Sequence, residues 1–231
     1  MSIVLRATEP PEKGVGTPPH SREGFFMNAV LSLIIGYFFG SISPAALLGK
    51  RKSVDLKETG TKNLGATNTM VVLGWGAGFF VMVFDICKSL LAGKLAQFLF
   101  PQLRVAGMLA CVGAMLGHCF PVLLHFHGGK GLAAFGGLVV YYKLWFVPVI
   151  LFSALALMVL LDCGVAFPLF VSGLFPLMVF LSGGARQEVA VALLAGALLF
   201  MLHIGNLKKA ISGDESMHVR AFLKKRLFHR E

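Results

Sequence analysis

The sequence predicts an all-α integral membrane protein with about seven transmembrane helices. Apolar residues make up 56% of the 231 residues and charged residues only 14%, whereas a soluble domain carries roughly 25% charged residues. The mean hydropathy is +0.78. Because a hydrocarbon core about 30 Å thick needs roughly 20 apolar residues per helix, this length allows about six or seven spans with short loops.

The two ends of the chain differ from the apolar part between them. Residues 1–24 contain four prolines among charged and small residues, which predicts a flexible tail. Residues 25–207 form the predicted seven-helix membrane domain, and residues 208–231 form a basic cytoplasmic tail. The first apolar run continues to Leu48, which favours a span over a cleaved signal peptide.

Apolar runs define the predicted spans in order. The second run is long enough to tilt or to project from the membrane, and the fourth is short for a full span. The runs cover approximately residues 25–48, 69–100, 104–123, 131–144, 145–162, 165–182 and 188–205.

Lysine and arginine in the loops set the predicted orientation, because cytoplasmic loops carry an excess of both. The loops after the first and third runs, and the segment after the seventh, hold most of these cations. The alternate loops offer only Arg104, Lys143 and Arg186. We therefore expect the N-terminus outside, the C-terminus in the cytoplasm, and the polar segments after runs one, three and seven together on the cytoplasmic face.

The formal net charge of +10 indicates an anionic partner. The basic residues flank apolar runs, which favours membrane lipid or a phosphorylated substrate over nucleic acid. The four cysteines lie in or near apolar runs without a Cys-x-x-Cys pair. We interpret them as buried apolar side chains rather than disulfides or metal ligands.

The first polar segment begins at Gly40 and Ser41 and continues from Asp55 to Asn68. Its glycines and amides would let backbone N–H groups approach an anion, and a helix beginning near Thr67 or Asn68 would direct its positive end there. This composition predicts phosphate binding. The alternative is a polar loop with an Asn or Thr helix cap.

The second polar segment contains His118 and a glycine turn with one lysine, formed by Gly128, Gly129, Lys130 and Gly131. Such a turn before a helix has the properties of a phosphate-binding loop, although its spacing does not match the ATPase Walker A motif. Alternatively, the glycines form a tight turn and the lysine extends to the interface.

Two pairs of polar residues occur at helical spacing i, i+3. His203 and Asn206 would share a face at the cytoplasmic end of the last span, either in a site or as structural hydrogen-bonding groups. Asp85 and Lys88 lie inside the second apolar run, where they would form an ion pair or face a substrate cavity.

Taken together, these segments resemble the PlsY family, the acyl-phosphate-dependent glycerol-3-phosphate acyltransferases of bacterial phospholipid synthesis. The ordered motifs span about residues 28–215. The positions that carry the resemblance are Gly40, Ser41, Asp55, Gly60, Asn63, Gly65, Ala66, Thr67, Asn68, Asp85, Lys88, Gly117, His118, Phe120, Pro121, Gly128, Gly129, Lys130, Gly131, His203 and Asn206.

The chain departs from the family pattern within the first segment. Lys57 stands where the family has arginine, Thr61 and Lys62 replace a Ser-Gly pair, and Val71 replaces a second arginine. Lysine keeps the charge but loses the bidentate geometry that suits phosphate. These changes leave open an activity that is narrower, slower or otherwise altered relative to the family.

The resemblance implies transfer of a fatty acyl group from acyl phosphate to the 1-hydroxyl of glycerol 3-phosphate, without a cofactor or metal, at the cytoplasmic face of the bacterial inner membrane. The implied catalytic residues are Ser41, Lys57, His203 and Asn206. The implied substrate-binding residues are Asn63, Gly65, Thr67, Asn68, His118, Gly128, Gly129, Lys130 and Gly131.

Within this assignment, residues 128–131 hold glycerol 3-phosphate, while Ser41, Lys57 and residues 63–68 hold the acyl phosphate, or the two roles are reversed. His203 acts as a base or positions the hydroxyl. No histidine is followed by an aspartate at the spacing that resembles acyl-CoA-dependent acyltransferases, which favours the acyl-phosphate donor. An enzyme that produces acyl phosphate is the candidate protein partner.

Two other functions remain open at this point. A small anion or metabolite transporter would place polar groups near the membrane midplane and show an internal repeat, and we find no convincing repeat. A non-catalytic relative that scaffolds lipid enzymes would account for Lys57 and Val71.

Overall fold

The computed structural model describes residues 22–213, 218 and 219, and this part of the chain is all-α. Most of the predicted tails, at residues 1–21, 214–217 and 220–231, lie outside the described residues. The helices are α1 (Arg22–Ser41), α2 (Pro44–Arg51), α3 (Ala66–Leu73), α4 (Trp75–Leu99), α5 (Ala106–Cys119), α6 (Leu132–Tyr142), α7 (Phe146–Leu160), α8 (Ala166–Leu181) and α9 (Arg186–Ile211), with a 3-10 turn at Val122–Leu124.

Within the part of the chain that the structure describes, three helical segments are long and apolar enough to cross a membrane, judged by length and composition. They are Glu23–Arg51, Ala106–Leu124 and Arg186–Ile211, and the helices Leu132–Tyr142, Phe146–Leu160 and Ala166–Leu181 are shorter and apolar. The all-α prediction is confirmed. The count of seven spans and the orientation stay predictions.

Two predicted spans contain a break in the structure, although Glu23–Arg51 as a whole remains long and apolar enough to cross a membrane. The first run ends as α1 at Ser41, and α2 begins at Pro44 with the Ser43 hydroxyl accepting a hydrogen bond from the Ala46 N–H. The second run breaks at Gly74, whose φ of 95° strongly favours glycine. There α3 folds back on α4, and a Cβ on Gly78 would collide with Met70.

The outer helices extend beyond the predicted membrane domain. Helix α1 begins at Arg22 instead of residue 25, and α9 continues to Ile211 instead of ending at residue 207.

Long side chains on the outer faces, such as Phe26, Phe98 and Phe152, are 68%, 80% and 70% exposed. A polypeptide that presents so many aromatic and aliphatic side chains outward is suited to a lipid solvent.

Helix α5 is the centre of the bundle and packs against α1, α4, α6 and α9. Its contact with α1 is a seam of small residues, because each helix has a Gly-x-x-x-Gly pair there: Gly36 and Gly40 on α1, Gly113 and Gly117 on α5. A Cβ on any of the four would collide with a carbonyl of the other helix. Small residues allow this close backbone approach without needing a hydrophobic driving force.

Gly36→Val is expected to destabilise the fold by about 1–3 kcal/mol or more, because its side chain must displace the Ala110 carbonyl. Thermal unfolding of the purified chain in detergent measures this loss. Gly173→Val is the matched control, since a Cβ at this helical glycine meets no atom within 4 Å. Equal melting temperatures for the two variants would contradict the close-packed seam.

Candidate active site

A buried cluster of three charged or titratable side chains joins α4 to α5. The Lys88 ammonium lies 2.7 Å from Asp85 Oδ1 and 3.2 Å from His118 Nδ1. It also donates a hydrogen bond of 2.8 Å to the Ile42 carbonyl, between α1 and α2. The ion pair predicted from the i, i+3 spacing is therefore confirmed, and each Lys88 N–H has an acceptor within reach.

The structure adds His118 to that ion pair. Its Nδ1 lies 3.3 Å from Asp85 Oδ1 as well. The second carboxylate oxygen of Asp85 accepts no hydrogen bond from any described residue. The negative charge of Asp85 is balanced by Lys88, and the contacts of Lys88 with His118 and the Ile42 carbonyl tie the first polar segment to the second.

The glycine turn packs directly on His118. The Gly129 and Gly128 N–H groups donate to the His118 and Cys119 carbonyls, each at 3.0 Å, and a Cβ on Gly129 would collide with His118 Nε2. Gly131 has a φ of 80° and precedes the first turn of α6. The glycines therefore form a tight turn, and Lys130 lies within it, one residue before Gly131.

Lys130 meets the last helix. Its ammonium donates a hydrogen bond to the Asn206 side-chain oxygen. Burial, followed by the charge of Lys209, lowers the pKa of Lys130. This contact confirms that the second and third polar segments share one end of the bundle, as the span parity predicted.

His203 lies one turn before Asn206 on α9 and is buried. Its Nδ1 is 2.9 Å from the Leu199 carbonyl, so the ring donates from Nδ1 in this geometry. Nε2 then carries the lone pair of the neutral ring. The predicted i, i+3 pair therefore presents one acceptor nitrogen and one amide beside Lys130.

The first polar segment is organised by Asn68. Its side-chain oxygen accepts from the Thr61 N–H at 2.6 Å, and its amide donates to the Leu56 carbonyl at 2.8 Å. Asn68 is buried, whereas Thr67 is exposed at the start of α3, and Gly65 is the residue before that helix. The Asn68 amide thus shapes the loop, and Asn63, Gly65 and Thr67 lie on its outer part and the first turn.

Lys57 connects this loop to the second segment. Its ammonium donates to the Leu124 carbonyl at 3.2 Å, and its backbone N–H donates to Asp55 Oδ1 at 2.8 Å. One contact leaves two ammonium N–H bonds for a ligand. Lys57 therefore keeps a cation between the two polar loops, although it lacks the planar geometry of arginine.

The hydroxyl of Ser41 is engaged within its own helix. It donates to the Tyr37 carbonyl at 2.8 Å, and Ser41 is 8% exposed. A nucleophilic serine needs its hydroxyl hydrogen-bonded to a base instead. This geometry supports a positioning role next to the Ile42 carbonyl and does not support acylation of Ser41.

The sequence prediction left two residues out of the site. Asp85 and Lys88 were interpreted as an ion pair or as facing a substrate cavity and were not assigned to the site, yet Lys88 contacts both His118 and the Ile42 carbonyl. The signal that indicates them is the Asp-x-x-Lys spacing inside an apolar run, together with its place in the family pattern. What the sequence does not reveal is which polar segment they face.

Comparisons with known proteins identify the family of this chain. Residues 30–213 match the family described as glycerol-3-phosphate acyltransferase. A relative of that name from Bacillus velezensis is 33% identical over 191 residues, 82% of this chain and 97% of its own. Another from Thermus thermophilus is 33% identical over 192 residues, 81% of this chain and 94% of its own.

The fold also matches a solved structure of PlsY (YgiH), an integral membrane glycerol 3-phosphate acyltransferase, in its glycerol 3-phosphate form. The TM-score is 0.73 with 27% identity, covering 80% of this chain and 92% of that one. The lysophosphatidic acid form of PlsY matches with a TM-score of 0.68 and 26% identity, over the same shares of the two chains. This chain is an all-α integral membrane protein and belongs to the glycerol-3-phosphate acyltransferase family.

Proposed function

We propose that the chain transfers a fatty acyl group from an acyl phosphate to the sn-1 hydroxyl of glycerol 3-phosphate. The products are lysophosphatidic acid and inorganic phosphate. The observation that carries this proposal is the junction of Lys130 with Asn206, beside buried His203 and at the start of α6. It places a cation, a helix N-terminus and an acceptor nitrogen at one end of the bundle, which suits a phosphorylated alcohol.

The proposed reaction is direct. The sn-1 oxygen attacks the acyl carbonyl carbon and forms the new ester bond, while the bond between that carbon and the phosphate oxygen breaks. Phosphate leaves with both electrons of that bond, and the hydroxyl proton passes to His203 Nε2 or to the leaving phosphate. Cations near the phosphates stabilise the charge that develops in this step.

The residues divide between the two substrates in this proposal. Lys130 holds the phosphate of glycerol 3-phosphate, Gly128, Gly129 and Gly131 shape the turn that presents it, and Asn206 orients the Lys130 ammonium. Lys57 and the outer part of the first loop, with Asn63, Gly65 and Thr67, hold the acyl phosphate. Ser41, Asn68 and His118 position these groups through the contacts described above.

The proposed location follows from the same orientation argument. Cations concentrate at the site end of the bundle, so we place the site at the cytoplasmic face of the bacterial inner membrane. Acyl phosphate is reactive towards water, and an enzyme that produces it nearby is the proposed partner. A reporter fused after residue 231 should appear in the cytoplasm, and its appearance outside would contradict this topology.

One assay tests the reaction and its donor. The purified chain in lipid nanodiscs receives labelled glycerol 3-phosphate with palmitoyl phosphate or with palmitoyl-CoA. We expect lysophosphatidic acid and equimolar phosphate from palmitoyl phosphate, and no product from palmitoyl-CoA. Transfer from neither donor would exclude the enzyme, and transfer from palmitoyl-CoA alone would exclude the proposed donor.

Activity should fall at alkaline pH because Lys130 must keep its proton to bind phosphate. Its pKa is lowered by burial and by Lys209, so kcat/KM for glycerol 3-phosphate should decline below the ordinary lysine pKa. At a pH between the pKa of Lys130 in the folded chain and its higher value in the unfolded chain, the unfolded chain binds more protons. In this window the contribution of Lys130 to folding stability therefore rises with pH, while activity falls.

The control for this prediction is Lys130→Arg, because a guanidinium keeps its charge throughout the range. A pH profile of kcat/KM should lose its alkaline decline, or shift it upward, in this variant. Melting temperatures across the same pH range separate this effect from unfolding. An alkaline decline that is unchanged in Lys130→Arg would show that another group is responsible.

A further inference from the structure

A cavity of about 790 Å³ lies at the end of the bundle opposite the candidate active site. The ends of α4, α6 and α8 and the beginnings of α5 and α9 surround it, whereas Lys130 and Asn206 lie at the other ends of α6 and α9. We propose that this cavity binds the headgroup of an anionic phospholipid from the adjacent leaflet.

Three cations converge on this cavity: Lys94, Arg104 and Lys143. Arg104 is paired with Glu188, with 3.0 Å between Nε and Oε1 and 3.5 Å between Nη2 and Oε2. Glu188 also accepts from the Ala185 N–H at 2.8 Å. Lys94 and Lys143 have no carboxylate within ion-pair distance among residues 22–213. Two ammonium groups are therefore free to bind an anion.

Gln97 is the centre of a hydrogen-bond network in the cavity. The Gln97 side-chain oxygen accepts from the Tyr141 hydroxyl at 3.2 Å and from the Gly107 N–H at 3.4 Å, and its amide donates to the Leu103 carbonyl at 3.4 Å. Gly107 is required there, because a Cβ would collide with the Tyr141 hydroxyl. This framework joins α4, α5 and α6 beside the two lysines.

Aromatic side chains mark this end of the bundle as a membrane interface. Tyr141, Tyr142 and Trp145 cluster near Lys143, whose ammonium lies 5.5 Å from the Tyr142 ring centroid. Tyrosine and tryptophan are enriched at this depth, between headgroups and acyl chains. A ligand in the cavity is therefore at the level of the phospholipid phosphates.

The surroundings favour a lipid over free phosphate. Phe98, Leu144 and Leu181 are 80%, 69% and 72% exposed at the same helix ends. These side chains provide an apolar surface for acyl chains beside the two ammonium groups. Each lysine beside such a surface raises the affinity for an anionic lipid about fivefold.

The two tryptophans allow a site-resolved test. Trp145 lies two residues from Lys143, and Trp75 begins α4, roughly 35 Å from the end of that helix near the cavity. Trp75→Phe leaves Trp145 as the single reporter, and Trp145→Phe leaves Trp75. Each full-length variant is titrated in detergent with phosphatidylglycerol or phosphatidylcholine. Both lipids carry bromine, a fluorescence quencher, on the part of the acyl chain nearest the headgroup.

We expect phosphatidylglycerol to quench Trp145 at a several-fold lower lipid fraction than phosphatidylcholine, whereas any preference at Trp75 reports the cations at the other end and should not change when Lys94 and Lys143 are replaced. The Lys94→Gln/Lys143→Gln variant should lose the preference at Trp145, while Lys50→Gln/Lys52→Gln, which removes two exposed lysines elsewhere, should keep it. Circular dichroism confirms that each variant is folded.

Three outcomes would overturn the proposal. They are equal quenching of Trp145 by the two lipids, a preference that survives Lys94→Gln/Lys143→Gln, and displacement of phosphatidylglycerol by millimolar inorganic phosphate. The last outcome would assign the cavity to a free phosphate ion. The acyl-transfer assay is independent of all three, because neither lysine belongs to the candidate active site.

Discussion

Lys88→Met is expected to cost about 3–5 kcal/mol of folding stability, because removing one partner of a buried ion pair leaves the other charge uncompensated. Asp85 and Lys88 are buried, 2.7 Å apart. Among residues 22–213, His118 would then be the one titratable group near the carboxylate, at 3.3 Å. The substitution should also loosen the contact between the first polar segment and helices α4 and α5, because Lys88 donates to the Ile42 carbonyl, just before α2.

Thermal and chemical unfolding of the purified chain in one detergent measure this effect. Asp85→Leu/Lys88→Met is the second variant, because it removes both charges and should be more stable than Lys88→Met alone. Lys50→Met provides the matched control at an exposed position. If Lys88→Met melts like Lys50→Met, the buried pair contributes no stability and its assigned role is wrong.

The largest effect on activity is expected from Lys130→Met. Loss of a preorganised donor to a charged reacting group typically lowers the rate by about 10²–10³-fold. We expect a loss of this order in kcat/KM for glycerol 3-phosphate, with a rise in KM, because the proposal places the substrate phosphate on this ammonium. The KM for palmitoyl phosphate should change less, since Lys57 holds that substrate.

Two companion variants make this result specific. Lys130→Arg should retain part of the activity, because it keeps the charge but changes the donor geometry. Lys208→Met removes an exposed lysine two residues beyond Asn206 and should leave both KM values unchanged. A rise in the palmitoyl phosphate KM alone would show that the two phosphate sites are reversed, and unchanged kinetics in Lys130→Met would remove Lys130 from the site.

The glycine turn illustrates how far the sequence could predict the site. Its glycines and Lys130 were identified from composition as either a phosphate-binding loop or a tight turn. The structure shows why the glycines are needed, because they pack on the backbone and ring of His118. This contact depends on how α5 ends, and no local spacing encodes it.

Asn68 and Ser41 show where chemical type alone is insufficient. Both were assigned to the site because of their polarity and their place in the family pattern. In the structure the Asn68 amide holds its own loop, and the Ser41 hydroxyl is bonded to its own helix. A side chain that satisfies a buried backbone group and one that binds a substrate look the same in sequence.

The sequence by itself determined three properties: the chain is a membrane protein, certain segments are polar, and Asp85 can pair with Lys88. These properties follow from composition and from contacts within a single helix turn. Only the tertiary structure decided that Lys88 meets His118, that Lys130 meets Asn206, and that Lys94 and Lys143 share a cavity. Those pairings join residues 30, 76 and 49 positions apart. They depend on how closely the helices approach, and glycine seams such as that between α1 and α5 set this approach through backbone contact.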